Sequence, residues 1–537
     1  MKRFFAVENR KDLLFCIAAF LIPYCAVMAV RLIFVRGGEN SIDGFYHAGM
    51  ALLGPEVFLA KEFPWTGISV WHDTFADKEL LYHALLWIFF RIQQFFGFAA
   101  TPPFHFPAGC ILAMACAAWV YAGRSFRIPW RILCAGGLLF PLVAPNWCFR
   151  LVMLRPHVLS VAFFLLICGI LSRKMPLKWR YILVALLSFF YCWSYSNPHF
   201  IVIPVLFFAV FQLFRDGWRV IFLPFVSLAS VLAGLVIHPQ FPHSFRIWKL
   251  QSWDALISPM LAAYELSRPT EMMPPGLIWL SMITPVVILF FVALYFLIRR
   301  IEKGGWRNAD PEVMALAALS FLFLVGTFVA MRSIEYAAPL TVLLFLTLFH
   351  QALRDGFPLP GRAGGERRVL LLLLLLSVMI GGGSAVMTAV DGRKAIRRPV
   401  YAMGDWLRAN LKPGETVVNL DWSDFPILFY SNPDQHYLWG MDPIFAYAVK
   451  PMETRLLSAS RVIGRRPPHY GEIGRTFGAR YGVILYPRIP HAAHLAQYGW
   501  KLKQEFVSES GHVEGWLFAL DEREAMTLPH MLIRKID

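Results

Sequence analysis

Residues 12–47 read DLLFCIAAFLIPYCAVMAVRLIFVRGGENSIDGFYH: an apolar run to Val35, arginines at 31 and 36, then Asp43 four positions before His47. A secretory leader has an apolar core of only about 7–15 residues and a small-residue cleavage site. This run is longer and closes on arginine. The basic start, Met1-Lys2-Arg3 through Arg10-Lys11, therefore predicts a first spanning helix with its N-terminus in the cytoplasm.

Composition extends that reading to the whole chain. Of 537 residues, 57% are hydrophobic and 15% aromatic, and only 16% are charged. Soluble domains carry about 45–50% apolar and roughly 25% charged residues. Disorder, collagen-like repeats and a disulfide scaffold are excluded. The net charge of +16, from 51 Lys and Arg against 35 Asp and Glu, is spread in short clusters between apolar runs, such as Arg124–Arg127, Arg173-Lys174 and Arg299-Arg300. Cytoplasmic loops have that pattern. A nucleic-acid partner would need a continuous basic face, and none is visible. Eight cysteines, at 16, 25, 110, 116, 134, 148, 168 and 192, all lie in or beside apolar segments and read as small buried hydrophobes.

Further spans are expected near 80–97, 107–123, 132–147, 157–172, 180–196, 199–214, 219–237, 276–298, 313–331, 337–353 and 368–388, several of them shorter than the roughly 20 residues a bilayer requires. Basic loops at 172–180, 215–218, 299–310 and 354–368 belong inside. That leaves 148–156, 197–199, 238–275, 332–336 and everything after about 390 outside. Simple alternation misplaces Arg124–Arg131, and a non-spanning helix around 80–105 restores the parity. The expected fold is a polytopic α-helical membrane protein of about 11–13 transmembrane helices, eleven or thirteen by parity. Residues 1–390 form the membrane domain, with a long first outer loop at 36–79. Residues 391–537 form a small extracytoplasmic α/β domain, with strand-like runs at Thr416–Leu420, Gly482–Tyr486 and Gly515–Leu520 and helices at Tyr401–Leu411 and Met452–Ile463.

The ionisable residues gather on the outer side. A helix starting at Ser41 or Ile42 puts Asp43 and His47 on one face, where Asp43 could serve as a general base with His47 orienting it. Helix capping is the alternative. Asp77, ahead of Lys78-Glu79-Leu80-Leu81-Tyr82-His83, has the same two readings. A metal held by Asp43, His47 and Asp77 stays open, with no H-E-x-x-H or paired-cysteine spacing to mark it. A divalent cation, Mg2+ or Mn2+, is the corresponding cofactor. Arg150, Arg155 and His157 stand at one helix entrance, and Arg332, Glu335 and Tyr336 at another. Arginine there either grips phosphate oxygens or snorkels to the interface. Asn197-Pro198-His199 and His238-Pro239-Gln240 read as closures of proline-broken helices. The aromatics of Asp421–Pro426 and Tyr437–Pro443 read as the core of the tail. No phosphate-cradling glycine loop appears.

This layout resembles the GT-C glycosyltransferases, among them the bacterial protein O-mannosyltransferase and lipid A aminoarabinose transferase relatives. The first-loop acid of that superfamily corresponds to Asp43, and the acid and lysine patch before the next helix to Asp77-Lys78 through His83. Arg150–His157 and Arg332–Tyr336 fall where the superfamily places lipid-phosphate contacts. The sequence departs from the pattern in lacking an Asp-Glu pair in the first loop and in its prominent His47 and His83. The resemblance implies transfer of a sugar from a polyprenyl-phosphate donor to a protein, lipid or glycan acceptor on the periplasmic face of a bacterial inner membrane. Asp43, His47 and Asp77 would be catalytic. Lys78, His83, Arg150, Arg155, His157, Arg332, Glu335 and Tyr336 would bind substrate. A polymerase or ligase acting on a lipid-linked glycan, a lipid-linked oligosaccharide flippase and a non-catalytic membrane scaffold are the competing readings. Flippases show internal repeats, and the sequence has none.

Overall fold

The apolar segments are helical throughout, and one of them is broken. The structure, a computed structural model, describes residues 10–35, 38–97, 104–254, 270–305, 309–355, 365–393, 396–529 and 533. Among these, eight helices are long and apolar enough to cross a membrane: Asp12–Phe34, His105–Ser125, Pro198–Asp216, Trp218–Ile237, Leu277–Gly304, Pro311–Val329, Met331–Arg354 and Arg368–Val390. Trp130–Leu142 and Pro145–Leu151, bent by 87°, supply a ninth if they count as one span. Pro145 at the first turn of the second piece explains the break, since proline cannot continue a preceding helix. His157–Ser172 and Leu177–Cys192 add two helices of 16 residues each. Leu80–Phe95, also 16 residues, is not among the eight.

The chain divides into two compact units, each assembled from three stretches. The first comprises Met1–Arg36, Gln93–Ile237 and Arg268–Ala395. Three of its helices, Asp12–Phe34, Leu277–Gly304 and Arg368–Val390, bury only 22%, 28% and 28% of their most apolar windows. Leu14, Leu372 and Met379 are more than half exposed. In water such surface costs about 25 cal/mol per Å2, so hydrocarbon is its natural cover and the protein is integral to a membrane. Further in, His105–Ser125 and His157–Ser172 pack closely because Gly169 lacks a side chain. A Cβ there would stand 2.7 Å from the Tyr121 ring.

The second unit comprises Gly37–Ile92, His238–Ser267 and Ile396–Asp537. It holds a five-stranded sheet: β1 (Thr416–Asn419), β2 (His436–Tyr437), β3 (Tyr481–Leu485), β4 (Lys501–Val507) and β5 (Val513–Ala519), in the order β2-β1-β3-β5-β4. β1 runs parallel to β2 and β3; β5 is antiparallel to β3 and β4. Trp439, Trp500, Trp516, Leu457, Ile473 and Leu495 fill the core around it. The helices Tyr401–Asn410 and Pro451–Ser460 lie where the sequence placed them.

The tail is not a free-standing sheet domain, because the long segment after the first helix is built onto it. Gly67 and Ile68 donate their N–H groups to the carbonyls of Tyr437 (2.8 Å) and Leu438 (2.9 Å), and Tyr437 donates back to Trp65 O at 3.1 Å. Glu39 and Arg397 form an antiparallel bridge. Pairing the loop with the β2 edge satisfies backbone groups that burial would otherwise leave unmet.

The ends of β1 and β3 are locked by charge. Asp421 accepts from Ser423 N (2.9 Å) and Oγ (2.7 Å) and pairs with Arg461 at 2.9 Å and Arg488 at 3.1 Å. Asp424 takes Leu485 N at 3.0 Å and also pairs with Arg488. Burial works against the Asp421 charge, but Arg488, Arg461 and the Ser423 bonds outweigh it and hold its pKa below the usual carboxylate range. A carboxyl lowered on folding stabilises the fold above its unfolded pKa of about 3.9 and loses that contribution as pH falls through the folded value. Asp421→Asn should therefore cost about 3 kcal/mol at neutral pH, because it removes the buried carboxylate that Arg461 and Arg488 share. The loss should shrink on acidification below about pH 4. Thermal unfolding of the full chain, followed by tryptophan fluorescence across that pH range, checks both.

Candidate functional site

Two clusters gather the ionisable residues, one in each unit. In the second unit, the helix Ile42–Leu53 starts at Ser41, which has extended N-cap geometry but makes no side-chain capping bond. Asp43 lies in the first turn, half-buried, where a carboxylate faces the positive end of the helix dipole. His47 is one turn on and buried. Its Nδ1 lies 2.8 Å from His83 Nε2, and His83 Nδ1 lies 2.6 Å from Asp77 Oδ2. His83 and Asp77 are completely or almost completely buried. The result is a continuous hydrogen-bonded chain, Asp77–His83–His47. With the Asp77 carboxylate accepting, His83 Nδ1 carries the proton, and a single proton is shared between His83 Nε2 and His47 Nδ1. Such a chain fixes ring orientation and can pass a proton along its length.

Asp77 does more than cap the following helix. Its Oδ1 accepts from Glu79 N at 3.0 Å while Oδ2 holds His83. Its own N–H donates to Gln240 Oε1 at 2.7 Å, and its carbonyl accepts from His238 Nε2 at 3.1 Å. Gln240 also donates to Phe58 O at 3.1 Å and to Ala60 O. His238 Nδ1 accepts from Gln240 N at 3.3 Å, so the Nε2–H tautomer fits both partners. Burial lowers the His238 pKa, with Asp77 pulling the other way, which agrees with a neutral ring. The His238-Pro239-Gln240 motif thus clamps the loop that carries Asp77. Lys78 lies over the rings of Trp71 (5.9 Å) and Phe445 (5.6 Å), 3.8 Å from Glu79.

The donor set does not fit the metal that the sequence left open. Among the described residues no group of three or more His, Cys, Asp or Glu side chains is arranged to hold an ion. The reason is visible in the chain itself: His47 and His83 turn nitrogens toward each other, and the Asp77 carboxylate is committed to His83 and Glu79 N. Asp43, His47 and Asp77 are therefore not a ligand set in this geometry, and no Mg2+ or Mn2+ enters the account below.

In the first unit, Arg150, Arg155 and Arg332 converge on one carboxylate that the sequence reading overlooked. Arg150 donates to Glu271 Oε2 at 2.6 Å, Arg155 to the same oxygen at 3.1 Å, and Arg332 to Oε1 at 3.2 Å. Arg150 also donates to Glu335, whose Oε1 lies 3.7 Å from Arg332 Nε and 4.0 Å from His157 Nδ1. His157 donates from Nε2 to Arg150 O at 2.9 Å. Burial opposes the Glu271 charge, but Arg155, Arg150 and Arg332 prevail and hold its pKa well below the carboxylate range. Three arginines against two glutamates leave one positive charge.

Tyr336, next to Glu335 on the same helix, is buried. Its hydroxyl lies 2.7 Å from Ser160 Oγ, which also meets Tyr191 OH at 2.8 Å. Arg332 lies 5.6 Å over the Tyr195 ring. Glu271, Ser160, Tyr191 and Tyr195 were missed. The Tyr191–Tyr195 spacing of four at a helix end was a readable signal. Glu271, a lone acid between two apolar helices, had none until its partners were known.

No family model matches the sequence, and no curated protein matches it. Solved structures do. The oligosaccharyltransferase of Archaeoglobus fulgidus in the apo form is similar with a TM-score of 0.60 at 13% identity, over 94% of this chain and 74% of that one. ArnT from Cupriavidus metallidurans bound to undecaprenyl phosphate is similar with a TM-score of 0.54 at 11% identity, over 95% of this chain and 98% of that one. Arabinofuranosyltransferase AftD from Mycobacteria gives 0.52 at 13% identity, over 97% of this chain and 40% of that one. At these identities the likeness is one of fold, which this chain shares with the three transferases.

The histidine chain has a direct test. His83→Ala leaves Asp77 Oδ2 and His47 Nδ1 buried without this partner, at a cost of about 2 kcal/mol or more. A lowered unfolding temperature of the full chain in detergent is expected, and no change would mean that the two groups find other partners.

Proposed function

We propose that the protein is a membrane glycosyltransferase that moves a sugar from a polyprenyl-phosphate-linked donor to an acceptor on the extracytoplasmic face. The observation that carries the proposal is the arginine cluster. Three guanidiniums, gathered from residues 150, 155 and 332 of a lipid-embedded unit, surround a single carboxylate. Arginine presents a planar fork suited to phosphate oxygens. Charged side chains in membrane helices are costly and are functional candidates by default. The GT-C fold supports the reading, and one of its similar structures, ArnT, was solved with undecaprenyl phosphate bound.

The chemistry assigns the roles. The acceptor hydroxyl oxygen attacks the anomeric carbon from the face opposite the phosphate, the carbon–oxygen bond to phosphate breaks, and the configuration inverts. The hydroxyl proton passes to Asp43, the general base, with His47 on the same helix face to orient it and the His83–Asp77 chain to hold His47. The leaving phosphate changes from a diester with one negative charge to a monoester with two. Arg150, Arg155 and Arg332 stabilise that growing charge. His157 and Glu335 position Arg150; in the other unit, His83 holds His47, and Lys78 stands over Trp71 and Phe445. A lipid donor suits a compartment without nucleotide sugars, and the basic loops support a cytoplasmic N-terminus and a periplasmic tail domain.

Purified protein incubated with radiolabelled polyprenyl-phosphate sugars and a membrane extract should convert lipid-linked label into a new product. Asp43→Asn should lower that rate by about 100-fold or more while leaving undecaprenyl phosphate binding and the unfolding temperature unchanged. Equal donor consumption by the mutant would reduce Asp43 to a helix-dipole partner. Movement of intact lipid-linked sugar across vesicles without transfer would favour a flippase.

A further inference from the structure

The two glutamates of the arginine cluster are held in very different ways. Glu335 is fully buried on the helix Ile334–Arg354, close to Arg150 and Arg332. Glu271 stands on the three-residue turn Thr270–Met272, with 22% of its side chain exposed. Its two oxygens are nevertheless the point where all three arginines meet. The arginines also keep donors in reserve: among the described residues, Arg150 Nε and Arg332 Nε are buried without a hydrogen-bond partner. Buried donors are seldom left unmet. A carboxylate has two acceptor oxygens, whereas a phosphate monoester has three non-bridging ones.

We propose that Glu271 is a resident competitor for the lipid phosphate, a carboxylate that fills the arginine site when it is empty and must swing out before the donor phosphate can enter. This rests on the reading of the arginines as the phosphate site. With Glu271 out, three arginines against Glu335 leave two positive charges. The donor diester brings one negative charge, and the product monoester brings two, so the charge balance of the site matches the phosphate at the end of the reaction. That match assists departure of the leaving group and would also trap the product. The tethered Glu271 carboxylate returns to the same guanidiniums and displaces it. No bond of Glu271 is made or broken beyond these ion pairs. Glu335, fixed in its helix, stays as the permanent counter-ion.

The competition lowers the apparent affinity for phosphate in proportion to the fraction of molecules in which Glu271 has vacated the site. The test measures undecaprenyl phosphate binding to the full chain in detergent, by thermophoresis and by the rise in unfolding temperature, for wild type, Glu271→Gln, Glu271→Asp and Arg332→Gln. Glu271→Gln should bind about tenfold tighter or more, with a larger thermal rise. Glu271→Asp, one methylene shorter, should fall between it and wild type, and it decides the matter if the glutamine variant fails to fold. In the transfer reaction, Glu271→Gln should lower the donor KM, lower kcat and strengthen inhibition by added undecaprenyl phosphate. A merely structural glutamate would not produce that combination. Unchanged or weaker binding by the Glu271 variants, with wild-type binding lost in Arg332→Gln, overturns this proposal and leaves the phosphate site standing. Binding that ignores Arg332→Gln overturns both.

Discussion

The constraint on which the rest depends is the cost of keeping charge inside a membrane-embedded bundle. A lone guanidinium there is costly, and breaking a buried pair by removing one partner typically costs about 3–5 kcal/mol. Arg150, Arg155 and Arg332 are tolerated because Glu271 and Glu335 neutralise most of their charge and accept their hydrogen bonds. Replacing such a network with apolar side chains is often neutral or stabilising, so its retention is poorly explained by stability and well explained by use. One net positive charge and, among the described residues, unfilled guanidinium donors at the ends of buried membrane helices are what an anionic lipid head group would recognise.

The second unit solves a different problem, that of holding a long loop still. A loop of some forty residues has backbone groups that must be satisfied wherever it is buried. Here the β2 edge takes Gly67 and Ile68, and Gln240 and His238 take both ends of the Asp77 peptide. An aromatic cluster including Tyr46, Phe63, Trp71, Phe75 and Phe429 fills the space between. The order of the Asp77–His83–His47 chain follows from that scaffold, as pre-organised polar networks require packed support.

The membrane helices were legible because hydropathy alone decides them, and the helices of the tail because their periodicity is local. Strands β1, β3 and β5 were legible as short apolar runs, whereas β4, Lys501–Val507, was not: its lysines, Gln504 and Glu505 give an edge strand little hydrophobic signal. The pairing of the first loop with the sheet was hidden because Gly67 and Tyr437 are hundreds of residues apart. Site residues were legible by type and illegible by partner. Arg150, Arg155 and Arg332 could be named as phosphate ligands, but the acid that joins them lies more than a hundred residues from the first two. The same limit holds around Asp43: a helical spacing of four relates it to His47 and says nothing of His83, which takes the His47 nitrogen.

The central claim is that the arginine cluster receives the phosphate of a polyprenyl lipid. Its most direct test is an electron cryo-microscopy structure of the full chain with undecaprenyl phosphate. Phosphate density is expected against Arg150 and Arg332, with the Glu271 carboxylate turned away from them. Phosphate bound elsewhere, with the three arginines still closed on Glu271, would contradict it.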